Sequence, residues 1–339
     1  AIYVSNGVLD MSGCMFKDNG VAGVIGEPTQ TINGPAIYGT SKAILNIRNS
    51  TFEHNGISNR RVVGSVNIYG AAIYLNSVNT ASIDGSKFLD NGNGGNAYIT
   101  GGAIYNLGST LNIADSTFVH NVARGTNKNG GALYSTGIVK ISDSTFVNNT
   151  AAVYGGALYS TGATNVSGSN FTNNIATVSG GAVYTTNSLE LHDSIFSKNS
   201  VETSDGGAIY GNNIKSYGTT FNDNTAITNG GAIYGTNLIA SESTFDGNIA
   251  NVGGAVYTTG LVNISDSAFN NNIALSNGGA IFGSTSSTIS VSESNFTNNT
   301  ATNGGAIFES DKSNVNRFNS NFDKNIAISN GGAIYGAMT

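Results

Sequence analysis

The stretch Ser144–Ser160, STFVNNTAAVYGGALYS, decides the fold, because the chain writes it again and again. Its first element, Phe-x-x-Asn, recurs twelve times at the repeat spacing, with Phe at 16, 52, 88, 118, 146, 171, 196, 221, 245, 269, 296 and 322. Its second, Gly-Gly-Ala-(Ile/Leu/Val)-(Tyr/Phe), falls between successive Phe positions, with imperfect copies at Gly34 (GPAIY) and Gly70 (GAAIY). From Ala132 onward the Ala-to-Ala spacing is 23 to 27 residues; before it the spacing is 29 to 36. A sustained period of this size is the signature of stacked repeats rather than of independent domains.

Alignment on Phe resolves the repeat into columns. Seven and five places earlier lie apolar pairs such as Leu111 with Ile113 and Val139 with Ile141. That alternation is the period of a strand. Three places before Phe stand Gly13, Asn49, Gly85, Asp115, Asp143 and their equivalents. These residues tolerate left-handed backbone, so the column predicts a bend. Two places before Phe comes Ser or Thr, replaced once by Cys14; two places after the Asn comes Ala in eight copies. Each repeat therefore reads as three short strands with tight corners and no helical pattern. The expected fold is an all-β, single-stranded parallel β-helix of about twelve three-strand coils spanning 1–339, roughly 58 Å long at about 4.8 Å per turn.

Stacking like on like assigns the columns. Phe118, Phe146, Phe171 and Phe196 should form part of an inner aromatic spine. Asn121, Asn149, Asn174 and Asn199 should pass amide hydrogen bonds from turn to turn, as in stacked in-register strands. The Gly pair marks a corner too crowded for a Cβ. The Ile of GGAIY is expected inward and the Tyr outward, in a column from Tyr3 to Tyr335 interrupted by Phe282 and Phe308. Arg317 falls in an inward apolar slot, which predicts a bulge or register shift near Phe318.

Composition narrows the function classes. Charged residues are 10% of the chain, Gly numbers 46, and the net charge of −6 disfavours a nucleic-acid partner. The charge is uneven: residues 1–140 carry nine Lys/Arg against seven Asp/Glu, residues 141–339 five against thirteen. No apolar run approaches the roughly 20 residues of a membrane helix, so no membrane span is expected in this segment. No Walker, Rossmann, zinc-finger or nucleophile-elbow pattern occurs, and the sequence predicts neither an enzyme nor a cofactor.

The interleaved GGA(I/L/V) and FxxN motifs resemble the repeat of chlamydial polymorphic outer membrane proteins. The Asn-rich style, NNTATNGGAIF at Asn298, is also similar to adhesin-like surface proteins of methanogenic archaea. The resemblance covers the whole chain. It implies a right-handed parallel β-helix displayed outside the cell, at the cell surface, for adhesion or as a stalk. Neither terminus shows a cap, which reads as a segment of a longer chain or as ends covered by neighbouring copies.

Five sets of candidate site residues stand out. Stacked carboxylates in the bend column could bind calcium or run glycoside hydrolysis, but Gly and Asn fill the same column, so turn geometry explains it. His54, Asp90 and His120 fall on one edge in the column before the ladder Asn, a weak candidate for a divalent metal against an ordinary solvated corner. The longest corner loops lie within 20–33, 56–70, 92–100 and 122–129, where Arg60, Arg61, Arg124 and Lys128 would favour an acidic glycan or protein. Of seven Asn-x-Ser/Thr sequons, alternation places Asn165, Asn170, Asn263 and Asn295 outward, as candidates for glycosylation. The Tyr column reads either as a sugar-stacking surface or as a self-stacking ladder.

The expected role is a non-enzymatic, extracellular display scaffold whose partner is a host or neighbouring-cell surface glycan or protein. The alternatives are a filament of identical chains stacked end to end and, from another class, a polysaccharide-active β-helix enzyme.

Overall fold

The structure is a computed structural model that describes residues 2–21, 30–57, 66–93, 97–311 and 314–336. All regular elements among them are β-strands, paired in parallel, and they wind as a β-solenoid. The chain divides into two compact units, Ala1–Asn165 with Ser169–Ala176, and Val166–Gly168 with Thr177–Thr339. Each holds six of the repeat phenylalanines.

One turn of the first unit shows how the sequence does this. After Gly130-Gly131-Ala132 come strands Leu133–Ser135, Val139–Ser142, Thr145–Val147 and Thr150–Ala151. Four strands thus replace the expected three, but the first two share one sheet, so the turn still has three faces. In the second unit these two fuse outright, in Ile209–Tyr217 and Ile233–Ser241, which pair in register from Ile209↔Ile233 to Tyr217↔Ser241.

The corners are left-handed. The bend column has positive φ throughout, from Asn49 (48°), Asp115 (47°) and Asp143 (47°) to Asp266 (48°) and Glu293 (48°). The column before the ladder Asn does too: Asp18, His54, Asp90, His120, Asn148 and Asn173 lie between 52° and 55°. Left-handed backbone is cheap mainly for Gly, Asn and Asp, which explains why these columns are written in those letters. At the third corner the two glycines have separate reasons. Gly130 has φ of 69°, while a Cβ on Gly131 would lie 1.8 Å from the Gly156 carbonyl oxygen of the next turn. The Ala that follows is wholly buried, as is the next apolar residue; Ala132 and Leu133 both donate their N–H to the Ala157 carbonyl.

Inside, like stacks on like. In the first unit the rings from Phe16 to Phe171 lie 4.6–4.9 Å apart and within 5° of parallel. In the second, those from Phe196 to Phe322 lie 4.5–5.3 Å apart. Each fully buried Phe contributes roughly 1.5–3 kcal/mol of apolar burial, and each stacked pair about 0.5–1.5 kcal/mol more.

Within each unit the Asn ladder is closed rung by rung. Asn149 Nδ2 donates to Phe118 O and to Asn174 Oδ1, both at 3.0 Å. Its Oδ1 accepts from the Asn121 N–H and from Asn121 Nδ2, also both at 3.0 Å. The second unit repeats this from Asn199 to Asn325. A parallel Ser ladder runs beside it: Ser116 N–H donates to Ser144 Oγ, and Ser144 N–H to Ser169 Oγ. Cys14 occupies the same slot, its N–H bonded to Ser50 Oγ at 3.2 Å.

The bulge expected near Phe318 does not form. Asn314–Phe318 keeps full register, with Val291↔Arg317 and Ser292↔Phe318. Arg317 is exposed in its slot, as is most of this last described turn, so its charge reaches water without displacing the strand. The register shifts lie on the third face instead, between Ala250 and Val252, Ile273 and Asn277, and Ala301 and Asn303. There the run between Ala and the Gly pair is two residues in one turn (Asn251-Val252) and three in the next (Leu275-Ser276-Asn277). A bulge absorbs the extra residue.

Candidate functional site

The described parts of the first three N-terminal insertions include strands. Gln30–Asn33, Val66–Tyr69 and Tyr98–Thr100 form a separate three-stranded parallel sheet, in register at Ile32, Ile68 and Ile99. Beneath it sits a small core of Val66, Ile68, Ala71, Ala97 and Ile99, with Ile32 packed against it. The fourth insertion continues the stack: Ile99 N–H donates to Arg124 O at 2.8 Å. Each of these strands feeds straight into a Gly corner, with Gly34 N–H on Tyr69 O and Gly70 N–H on Thr100 O. The signal was present in SVNIYG and NAYITG, whose alternation reads as strand.

This arrangement engages two of the four predicted cations. Lys128 Nζ lies 3.4 Å from Asn67 Oδ1, 5.6 Å from the Tyr69 ring centre and 5.9 Å from that of Tyr98, a cation over two aromatic faces. Burial pushes its pKa down. Arg124 Nη2 donates to Asn93 Oδ1 at 3.1 Å. Arg60 and Arg61 lie outside the described residues.

His54, Asp90 and His120 do come together, as links in a string along the left-handed corner. Lys17 Nζ meets Glu53 Oε1 at 2.8 Å, and His54 Nδ1 meets the same oxygen at 3.2 Å. His54 Nε2 is 3.7 Å from Asp90 Oδ2, His120 Nδ1 is 3.6 Å from Asp90 Oδ1, and Asn148 Nδ2 is 3.0 Å from His120 Nε2. The string holds its members edge to edge along the stack, and among the described residues no three His, Cys, Asp or Glu are grouped to hold a metal ion. The corner's left-handed geometry, which Asn148, Asn173 and Gly247 betray in the same column, accounts for most of what the residues share. The carboxylates of the bend column, Asp115, Asp143, Asp193 and Glu242 among them, all face solvent.

Asn165, Asn170, Asn263 and Asn295 are exposed on strands, as alternation requires. Tyr3 and Tyr38 meet the next ring of the Tyr column edge to face; from Tyr74 onward the column stacks on itself within each unit. In the first unit Tyr74, Tyr105, Tyr134 and Tyr159 lie 4.7–5.2 Å apart, nearly parallel. In the second, Tyr184 to Phe282 lie 4.7–5.0 Å apart. Burial, then the neighbouring Tyr210 and Tyr257 and Asp205, push the Tyr234 hydroxyl up to about 12. Where the ladder is stacked this closely, it leaves ring edges rather than ring faces to a ligand.

No helix is long and apolar enough to cross a membrane, among the described residues. No curated protein and no solved structure matches the chain. The family model for the Chlamydia polymorphic membrane protein repeat matches eight times, at 143–161, 168–186, 193–212, 218–236, 242–259, 266–284, 293–308 and 319–337. The match begins where the spacing tightens, beyond the long insertions. Each copy runs from the bend column through Phe and the ladder Asn to the Gly pair and its aromatic, so the matched positions are the ones whose stacking has just been described. Through these eight copies the chain belongs to the Chlamydia polymorphic membrane protein repeat family.

Proposed function

We propose that the chain is a non-enzymatic, adhesin-like scaffold at the cell surface, whose rigid solenoid displays a contact surface to a glycan or protein of a host or neighbouring cell. One observation carries this reading: the Phe and Asn columns of the interior do not vary, while length and charge vary in the insertions of the first unit. Aromatic and amide ladders fill the described interior columns, and they suit a stiff support. The insertions, whose sequence includes Arg60, Arg61, Arg124 and Lys128, supply the variable surface. Loops held on a rigid frame are where binding usually sits.

The test is attachment of beads coated with residues 1–339 to a panel of host and neighbouring cells. Attachment should occur, and the double variant Arg60→Ala/Arg61→Ala should weaken it without changing the melting temperature. Beads that attach to nothing would end the adhesive reading. Long fibres of the isolated chain under the electron microscope would replace it with assembly by end-to-end stacking.

A further inference from the structure

The outward face of the second unit carries a trough that the display role described above leaves unused. Its floor is one outward column, Ile239, Asn263, Ser290 and Asn316, at successive turns. Its rim is the column two residues on, where Ser241, Ser265 and Ser292 stand between Tyr217 and Phe318. Three small residues between two aromatic ones leave a hollow. A concavity of about 320 Å³ runs from Ile239 to Phe318, and a second of about 230 Å³ runs from Ser188 to Ile239, so the two meet at Ile239.

Its chemistry is specific in kind. Phe318 is 63% exposed and Ile239 38% exposed. No ring stacks on Phe318 among the described residues, unlike the phenylalanines of the spine. The exposed amides of Asn263 and Asn316 have no hydrogen-bond partner among those residues, and Ser265 Oγ donates to Ser241 Oγ at 3.0 Å. Arg317, from the inward-facing column, is the one charged residue lining the larger concavity, while Glu190 and Lys215 line the smaller one, so the uncharged stretch runs from Ile239 to Phe318. The equivalent face of the first unit differs: Arg48 pairs with Asp10 across the same two columns.

Free carboxamides, hydroxyls that can still accept, an exposed ring and the uncharged floor of the larger concavity do not suit a nucleic acid or an acidic peptide. They suit a sugar, which offers an apolar ring face to an aromatic side chain and hydroxyls to amides. The groups recur once per turn along the stacking axis, so the matching ligand is a chain of like units. We propose that this trough binds an uncharged linear glycan laid along the solenoid, one sugar ring on Phe318 and its hydroxyls on Asn263, Asn316 and Ser265. The proposal rests on the display reading and gives it a ligand class.

The experiment is a calorimetric titration of residues 1–339, made in a host that does not glycosylate, with cellohexaose, mannohexaose and hexagalacturonate as probes. At least one neutral hexaose should bind, and hexagalacturonate more weakly. Phe318→Ala should bind roughly tenfold more weakly, the weight of one stacked ring. Ser265→Arg, which fills the trough from an outward position, should abolish binding while leaving the melting curve unchanged; Arg60→Ala/Arg61→Ala should leave binding intact. The proposal is overturned if no neutral hexaose saturates, if hexagalacturonate binds as well, or if both trough variants keep full affinity. A glycan found on Asn263 of the native protein would also overturn it, because the trough would be filled covalently. If coated beads still attach to cells while no hexaose binds, the trough fails and the display role stands.

Discussion

Asn149→Ala is the sharpest test of the ladder. The side chain is wholly inaccessible, and its amide makes four hydrogen bonds. Truncation leaves two buried donors on Asn121, the backbone N–H and one Nδ2 hydrogen, facing a space with no acceptor. The Asn174 Oδ1 keeps its bond from the Asn149 N–H at 3.0 Å. Each orphaned donor costs about 1–3 kcal/mol, so the substitution should destabilise by roughly 2–6 kcal/mol. Since solenoid turns contact mainly their neighbours, the loss should be local. Hydrogen exchange should quicken at Phe118–Asn121 and Phe146–Asn149 while the second unit keeps its protection. The outward-facing Asn112→Ala is the control, expected to change stability by less than about 0.5 kcal/mol. Asn149→Asp adds a pH dependence. Burial raises the folded pKa of the new carboxyl above its unfolded value near 3.9, so the variant is most stable in acid, where the carboxylic acid can donate as the amide does, and weakens as pH rises. If Asn149→Ala costs less than about 1 kcal/mol, or no more than Asn112→Ala, the ladder is not what holds the turns in register.

Other expectations follow from the same packing. Gly131→Ala sets a methyl 1.8 Å from the Gly156 oxygen, with only backbone available to move; denaturant unfolding should show a loss of at least about 2–3 kcal/mol. The tyrosine ladder should make the fold alkali-sensitive. Folded hydroxyls such as Tyr234, pushed up to about 12, stay neutral above the ordinary value of 10, so the stability this gives is complete below pH 10 and drains away as pH rises toward 12. Urea midpoints taken across that range should fall, and less steeply in Tyr234→Phe. Lys128→Ala should quicken exchange at Val66–Tyr69 and Tyr98–Thr100 and leave Phe146 unchanged, if the lysine ties the fourth insertion to the side sheet.

What the sequence disclosed was whatever recurs. Phe146 and Asn149 could be placed inside because eleven equivalents repeat the same spacing, and Asp143 could be read as a bend because Gly and Asn alternate with it. Features that occur once were harder. Arg317 looked incompatible with its slot, since alternation says where a residue sits but not that the slot is open to water. His54, Asp90 and His120 invited a chemical reading because the left-handed φ of their column is invisible in the letters His and Lys and plain only in Asn and Gly. The side sheet escaped for a different reason: its three strands align with one another, not with the repeat, so a search by period passes over them. The trough depends on which outward residues are small, and outward positions follow no rule of type.

The healed shifts on the third face have an evolutionary corollary. A residue gained between Ala274 and Gly278 is taken up before the next corner, so the reading frame of stacked columns resumes intact at Ala280. Inside a paired strand a single added codon would flip the side chains that follow it in that strand from core to solvent. The segment ahead of each Gly pair is thus a safe port for lengthening the gene, and it is where the long N-terminal insertions sit. Antigenic or ligand novelty can accrue there by insertion alone, with no compensating change in the coil that carries it.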